Sequence, residues 1–220
     1  AKRARLPRLV KREVTVLSAH EMKTLIKASD GDPYQQLLVL SLSMGLRQSE
    51  ALGLTWGDVS FDRAEILISR ALHSKEGGGH ELTELKTASS TRRLVLPQPA
   101  LKALKHQRIA QIEHALALGP KWNNLLDLVF TNDVGGPVEK SNLRSRHLKE
   151  WLKTAGLPST FRWHDLRHAC ASSLFGQGVP GPVVQQLLGH SSLNTTMGVY
   201  GHLIPSQQSL AAEAMDQLLA

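Results

Sequence analysis

The chain has 220 residues, of which 41% are hydrophobic and 20% charged, with a formal net charge of +7. This composition is typical of a globular protein with one sizeable core, and no apolar run approaches the ~20 residues that a membrane span needs. The single cysteine, Cys170, excludes an internal disulfide framework and predicts a reducing, cytoplasmic location, with the side chain as a small buried apolar group.

The positive charge is concentrated at the N-terminus. Residues 1–12 contain six basic residues and no acidic one, and the rest of the chain has 20 basic against 19 acidic residues. Because a dense basic segment suits the backbone of a nucleic acid, we predict that residues 1–17 are an arm that contacts DNA; a solvated tail is the alternative. The basic residues of the arm are Lys2, Arg3, Arg5, Arg8, Lys11 and Arg12.

The first quarter of the chain predicts three helices. A capping-box spacing at 18–21 begins a helix that ends near 30–31. An Asp-Pro pair at 32–33 opens a second, strongly apolar helix, which Gly45 interrupts. Residues 48–54 predict a third, short helix.

Three segments that follow have the composition of strands. Residues 65–73, 81–85 and 92–96 are separated by turn-forming sequences and predict one three-stranded antiparallel sheet. Lys86 would lie at its second hairpin, and the two arginines at 92 and 93 would point to alternating faces of the last strand.

The remainder predicts a run of helices, so the fold class is mainly α with a small three-stranded antiparallel sheet (α+β). A break near 176–182 is interpreted as a loop and not as a domain boundary. The predicted helices cover 99–118, 141–155, 164–176, 181–188, 192–200 and 206–219.

The C-terminal third combines groups that suit phosphate chemistry. His164 and Arg167 are three residues apart and share one face of their helix, His190 follows an apolar helix, and Tyr200 comes ten residues later. An arginine fork binds phosphate oxygens, an imidazole donates a hydrogen bond or transfers a proton, and a tyrosine hydroxyl can be a covalent nucleophile. Because no acidic cluster accompanies them, these residues predict phosphoryl transfer with no metal and no other cofactor.

A zinc site is the competing interpretation of the same helix. His164 and His168 are four residues apart, as in a zinc metalloprotease motif. That motif has glutamate where this chain has Asp165, and no third ligand follows at a fixed spacing. We therefore interpret His168 as a packed helical residue and Asp165 as a helix cap or a support for its neighbours.

Four motifs stand in a fixed order between Gly45 and His202. They are GLRQSEALGLTW, KTASSTRR, HDLRH, and LLGHSS followed by TTMGVYGH. Each motif is weak alone, but the ordered set resembles the catalytic domain of tyrosine recombinases of the phage-integrase type, with its DNA breaking-rejoining fold. The residues that the resemblance makes catalytic are Arg47, Lys86, His164, Arg167, His190 and Tyr200.

The resemblance implies site-specific DNA recombination or integration through a covalent 3′-phosphotyrosine, without metal or ATP. Tyr200 would be the nucleophile, and Arg47 and Arg167 would clamp the non-bridging phosphate oxygens. His190 would add a hydrogen bond there. From its spacing, Glu50, three residues after Arg47, would pair with that arginine and orient it; a helix-surface pair without function is the alternative.

Two further roles concern protons. His164 is the best-placed acceptor for the tyrosine proton, because a free tyrosine has a pKa of about 10. The resemblance makes Lys86 the general acid that protonates the leaving 5′-oxygen.

The spacing of the last motif favours an integrase of a mobile element. Tyr200 is the tenth residue after His190, where many family members have the tyrosine at the ninth. The longer spacing is similar to integrases of mobile elements and actinophages, and it argues against a chromosome-dimer recombinase. A type IB topoisomerase-like DNA relaxation activity and a catalytically silent DNA-binding regulator stay open as alternatives.

The resemblance also implies an organisation and a set of partners. Residues 1–17 would be an interdomain linker and 18–220 the catalytic domain, with the family's N-terminal core-binding domain outside this chain. Partners would be double-stranded attachment-site DNA and directionality or host DNA-bending factors, with no membrane. The protein would be a monomer when free and a homotetramer on DNA, and would associate with the nucleoid when bound.

The C-terminal helix predicted over 206–219 has an apolar stripe. Leu210, Ala214 and Leu218 lie on one face, and such a stripe must be buried somewhere. We expect this helix to dock on a neighbouring protomer when the recombinase assembles; docking on its own domain is the alternative.

Overall fold

The computed structural model describes residues 16–85, 90–190 and 215–219. Helices dominate, and the fold-class prediction of a mainly α protein with a small antiparallel sheet is confirmed. Within the described part of the chain, no helix is both long and apolar enough to cross a membrane. The helices are α1 (Ala19–Ala28), α2 (Gln35–Met44), α3 (Gln48–Leu52), α4 (Gln98–Leu118), α5 (Lys140–Asn142), α6 (Lys149–Thr154), α7 (Trp163–Gly176) and α8 (Gly181–Leu188). The strands are β1 (Val59–Ser60), β2 (Glu65–Ile68), β3 (Arg70–Ser74), β4 (His80–Glu84) and β5 (Arg92–Val95).

The central helix of the fold is α2. Buried leucines lie on several faces of this helix, and Leu37, Leu38 and Leu40 have no exposed surface. A helix that is apolar all round must be enclosed, and α2 packs against both α4 and α7. Each enclosed leucine contributes about 1.5–3 kcal/mol relative to an exposed one. The helix ends at Gly45, whose left-handed backbone (φ 59°) turns the chain into α3.

Two predicted helix boundaries agree with the structure and one differs. The second helix, predicted to open at residues 32–33, begins at Gln35 instead, because residues 32–35 form a turn in which the Gln35 N–H donates to the Asp32 carbonyl oxygen (3.1 Å). At the start of α1, the Ser18 backbone N–H donates to Glu21 Oε2 (2.8 Å) and the Glu21 N–H donates to Ser18 Oγ (3.2 Å), which completes the predicted capping box. The helix predicted over 99–118 ends at Leu118 as expected, and Gly119 follows it with φ 58°. The segment predicted as one helix over 141–155 is helical throughout, but residues Leu143–Leu148 between α5 and α6 are π-helical.

The strands are arranged differently from the prediction. The extended segment predicted over 65–73 divides at Ser69 into β2 and β3, which lie in different sheets. One sheet has the order β1-β2-β5, and the other is the β3-β4 pair; every pairing is antiparallel. The predicted neighbours β4 and β5 therefore do not pair with each other. They take their partners from successive halves of one extended segment, an arrangement that a hairpin-by-hairpin prediction cannot anticipate.

The register shows how the two sheets meet near the predicted position of Lys86. Ile68 is opposite Arg92 in one sheet, and Arg70 is opposite Glu84 in the other. Between these pairs, the Leu85 N–H donates to the Ser69 carbonyl oxygen at 3.0 Å. The chain that leaves β4 thus remains attached to the break between β2 and β3, directly before residue 86.

Candidate active site

Three chain segments converge to form the candidate site: the start of α3, the first half of α7 and the end of α8. Arg47 immediately precedes α3 and donates from Nη2 to the Gly189 carbonyl oxygen (3.4 Å), directly after α8. Arg167 of α7 donates from Nη1 to the Gly45 carbonyl oxygen (2.8 Å). The structure therefore brings together four residues that are distant in sequence: Arg47, His164, Arg167 and His190.

Glu50 holds Arg47 through both its backbone and its side chain. The Arg47 N–H donates to Glu50 Oε2 at 3.0 Å, and Arg47 Nη1 lies 2.6 Å from Glu50 Oε1. The Glu50 side chain has no exposed surface, whereas that of Arg47 is 36% exposed. Burial alone would raise the pKa of Glu50, but the charges of Arg92 and Arg47 and the hydrogen bonds they donate lower it. The carboxylate is therefore charged and anchors a guanidinium that reaches towards solvent.

Arg92 is part of the site, although the sequence indicated only a strand residue. It is buried, at 7% exposed. Its Nη2 lies 3.0 Å from Glu50 Oε2, and its Nε donates to the Leu187 carbonyl oxygen at 2.8 Å. The alternation of the strand could have predicted this burial, because Arg92 lies on the same face as the buried Leu94 and Leu96. A buried arginine needs a carboxylate, but alternation does not identify which one.

Arg167 is more enclosed than a surface phosphate clamp would be, at 2% exposed. Besides its bond to Gly45, its Nη2 donates to the Leu188 carbonyl oxygen at 2.7 Å. The approach is close: a Cβ at Gly45 would lie 2.8 Å from Leu188 Cδ2 and 3.3 Å from Cys170 Sγ. Arg167 thus joins the turn before α3 to the end of α8, next to a glycine whose positive φ (59°) and close neighbours both disfavour a side chain. Cys170 is buried here as expected, and burial raises the pKa of its thiol to about 12.

Three histidines surround the arginines. Burial and then the charges of Arg167 and Arg47 lower the pKa of His190 to about 4. Partial burial and Arg167 also lower the pKa of His164, which lies in the first turn of α7. At neutral pH both imidazoles are therefore neutral, so each has one nitrogen that donates and one that can accept a proton.

The pair interpreted above as a possible zinc motif is a ring-on-ring contact. His164 and His168 pack edge to face with centroids 4.9 Å apart. Asp165 caps α7, because its Oδ2 accepts from the Arg162 backbone N–H at 2.8 Å. In the described ranges, 16–85, 90–190 and 215–219, no three His, Cys, Asp or Glu side chains are grouped so that they could hold a metal ion.

Several predicted residues lie outside the described part of the chain. They include Lys86, Tyr200, His202 and all six basic residues of the N-terminal arm. The predicted helix 192–200 and most of 206–219 also lie outside it, although residues 215–219 are helical and exposed. The other tyrosine of the chain, Tyr34, is buried in the core, and burial raises its pKa to about 12. Tyr34 is therefore poorly suited to act as a nucleophile.

Solved structures share this architecture. The Tn1549 transposon integrase, solved in complex with transposon right end DNA, superposes with a TM-score of 0.77 over 95% of this chain and 67% of that one, at 24% sequence identity. The catalytic domain of bacteriophage HP1 integrase superposes with a TM-score of 0.56 over 91% of this chain and 95% of that one, at 22% identity. The fold is thus that of integrase catalytic domains.

The sequence comparison is more specific. Residues 15–207 match the model of the phage integrase family. A tyrosine recombinase XerC-like protein of Caldanaerobacter subterraneus is 33% identical over 95% of this chain and 56% of its own length. The ICEBs1 integrase of Bacillus subtilis is 30% identical over 98% of this chain and 57% of its own length. The chain belongs to the phage integrase family, and it spans a little over half the length of these relatives.

Proposed function

We propose that this chain is the catalytic domain of a tyrosine-type, site-specific DNA recombinase that cuts and rejoins DNA through a 3′-phosphotyrosine. The observation that carries the proposal is the convergence of Arg47, His164, Arg167 and His190 at one site. Each of the four lies in a motif of the family to which the chain belongs. The integrase relative from Bacillus subtilis and the DNA-bound Tn1549 integrase support double-stranded DNA as the substrate.

In the proposed first step, the Tyr200 oxygen attacks the scissile phosphorus and the bond to the 5′-oxygen breaks. Arg47 and Arg167 stabilise the charge that grows on the non-bridging oxygens. A guanidinium has five N–H donors, so binding carbonyl oxygens through two of them is compatible with a phosphate contact. His190 donates a further hydrogen bond to the phosphate.

Proton transfer completes the step. His164 accepts the tyrosine proton, for which its lowered pKa keeps the imidazole neutral at physiological pH. Lys86 gives a proton to the departing 5′-oxygen. The phosphotyrosine retains the bond energy of the diester, and the 5′-hydroxyl of another strand reverses the reaction. The chemistry therefore requires neither ATP nor a metal ion.

The larger assembly is also part of the proposal. The arm at 1–17 would act as an interdomain linker along the DNA backbone, and 18–220 would be the catalytic domain. The protein would be monomeric when free and tetrameric on paired attachment sites, with directionality or host DNA-bending factors. It would act in the cytoplasm, at the nucleoid. The C-terminal helix, 206–219, would dock on a neighbouring protomer.

We further propose that the natural host of this domain is a mobile element. Tyr200 is the tenth residue after His190, and the ICEBs1 integrase is 30% identical to the chain. The XerC-like relative is similar to the same degree, at 33%, so the motif spacing carries this part of the proposal.

Trapping the covalent intermediate tests the function. The full natural polypeptide is incubated with a pool of random-sequence duplexes, each nicked so that the short 5′-hydroxyl fragment diffuses away after cleavage. Protein-linked DNA is recovered, sequenced and mapped to a residue. We expect an adduct on Tyr200 that Tyr200→Phe abolishes without weakening DNA binding, because only the hydroxyl is lost.

Tyr34→Phe is the matched control, since the chain has two tyrosines. This variant should form the adduct normally, and EDTA should not slow it. An adduct that persists in Tyr200→Phe would assign the nucleophile elsewhere. Inhibition by EDTA that zinc reverses would restore the metal interpretation of His164 and His168. Relaxation of supercoiled plasmid without recombinants would instead favour a topoisomerase.

A further inference from the structure

We propose that Arg92 is a positioning residue of this site. It holds Arg47 in place through Glu50, and it holds the segment before His190 in place through its bond to the end of α8. The inference rests on the proposed function, because it concerns how that function's phosphate clamp is built. It adds a residue from β5 to a site that the sequence assigns to α3, α7 and α8. Four contacts and one close approach carry it.

The first two contacts join Arg92 to Glu50. Arg92 Nη2 lies 3.0 Å from Glu50 Oε2, and Arg92 Nη1 lies 3.5 Å from Glu50 Oε1. On its other side, Glu50 binds the backbone N–H and Nη1 of Arg47. One carboxylate therefore lies between two guanidiniums. A carboxylate held from both sides cannot rotate, so its second partner, Arg47, is fixed as well.

The next contact fixes the end of α8. Arg92 Nε donates to the Leu187 carbonyl oxygen at 2.8 Å, which satisfies one of the terminal carbonyls that a helix leaves without an internal partner. Gly189 follows with φ 64°, and a Cβ there would lie 2.8 Å from Arg92 Nη1. The guanidinium thus lies against the backbone of Gly189. The same residue accepts from Arg47 Nη2, and His190 follows it.

The fourth contact involves the segment that follows Lys86. Arg92 Nη1 donates to the Ser90 carbonyl oxygen at 2.8 Å. Arg92 is therefore bonded to three residues that each lie next to a proposed catalytic group. Glu50 binds Arg47, Leu187 lies shortly before His190, and Ser90 lies shortly after Lys86.

A purely structural role makes different predictions. If Arg92 only neutralises the buried charge of Glu50, the double variant Arg92→Met/Glu50→Gln should cleave as fast as Glu50→Gln alone. If Arg92 also positions Arg47 and the end of α8, the double variant should cleave more slowly than Glu50→Gln, although both lack the charge of Glu50. Arg92→Lys tests whether a charge without the planar fork is sufficient.

Arg93 provides a matched control. It is the next residue of the same strand, but its side chain is exposed on the opposite face. Arg93→Gln changes one strand arginine without touching Glu50 or α8. We expect its cleavage rate to stay within about 3-fold of wild type, since surface changes away from special contacts are nearly neutral.

The experiment measures single-turnover adduct formation by the full natural polypeptide on a nicked duplex selected as above. The scissile position carries either the natural phosphodiester or a methylphosphonate, in which a methyl group replaces one charged oxygen. With the phosphodiester, Arg92→Lys should be about 10–100-fold slower than wild type, and the double variant should be slower than Glu50→Gln by a similar factor, the cost of a small misplacement of a reacting group. DNA affinity should change little.

The methylphosphonate shows whether the loss acts through the phosphate clamp. With one charge removed from the phosphate, the clamp has less to stabilise, so the defect of Arg92→Lys should shrink by about 10-fold, in parallel with Arg47→Lys. An equal defect of Arg92→Lys on both substrates, or a double variant that cleaves as fast as Glu50→Gln alone, would overturn the positioning role while leaving the proposed function intact. If wild type forms no Tyr200 adduct, both the proposed function and this inference fail.

Discussion

Replacing each clamp arginine by lysine should separate the catalytic contribution from the structural one. Both variants keep a positive charge but lose the planar fork that binds two oxygens at once. We expect Arg47→Lys and Arg167→Lys each to slow cleavage by about 10² or more, equivalent to about 2.7 kcal/mol of transition-state stabilisation.

Their effects on stability should differ, because the two guanidiniums differ in burial. The Arg47 side chain is 36% exposed, and Glu50 would retain its bond to Arg92, so Arg47→Lys should change the free energy of unfolding by less than about 1 kcal/mol. Arg167 is 2% exposed and donates to two buried carbonyl oxygens. An ammonium can retain one of those bonds, so Arg167→Lys should cost about 2 kcal/mol.

The assay combines single-turnover adduct formation with urea unfolding of the same preparations. Arg63→Lys serves as the control, since that side chain is 66% exposed and pairs only loosely with Glu65 (3.4 Å). Two results would refute the reasoning. Cleavage by both variants at near wild-type rates would refute the assignment of Arg47 and Arg167 as phosphate ligands. Equal stability of the two variants would contradict the structural role of Arg167.

Four further predictions concern other parts of the chain. The folded-state pKa of His190 is about 4, against an ordinary 6.5, so the free energy of unfolding should decrease as pH falls from 6.5 towards 4. Urea unfolding at several pH values should show a smaller decrease in His190→Gln. Lys86→Ala should lose cleavage of a normal substrate. It should largely regain cleavage of a substrate with a 5′-bridging sulfur, because that leaving group needs no proton. The control Lys75→Ala should cleave both substrates like wild type. Deleting residues 1–12 should reduce the slope of log K against log salt by several units at about 0.9 per phosphate contact, and an unchanged slope would make the arm a tail. Ending the chain at Pro205 should reduce synapsis and recombination far more than DNA binding, and cooperative assembly of the truncated protein on paired sites would exclude docking in trans.

The sequence by itself determined the parts of this protein that depend on local spacing. The capping box that begins α1 and the shared helical face of His164 and Arg167 are consequences of residues three apart. The end of α2 at Gly45 depends on one residue that adopts a left-handed backbone. The ordered motifs likewise identified the family. These features could be predicted because a helix imposes the same geometry on such neighbours wherever it lies in the fold.

Only the tertiary structure decided which distant groups meet. Alternation placed Arg92 on the buried face of its strand, but its partner Glu50 lies 42 residues earlier and in a helix. The division of one extended segment between two sheets, and the enclosure of Arg167 between two carbonyl oxygens, likewise depend on how α3, α7, α8 and the strands pack. The sequence predicts that a buried charge needs a partner of opposite charge. It does not predict which residue that partner is, because the distance between the two groups depends on the folded chain.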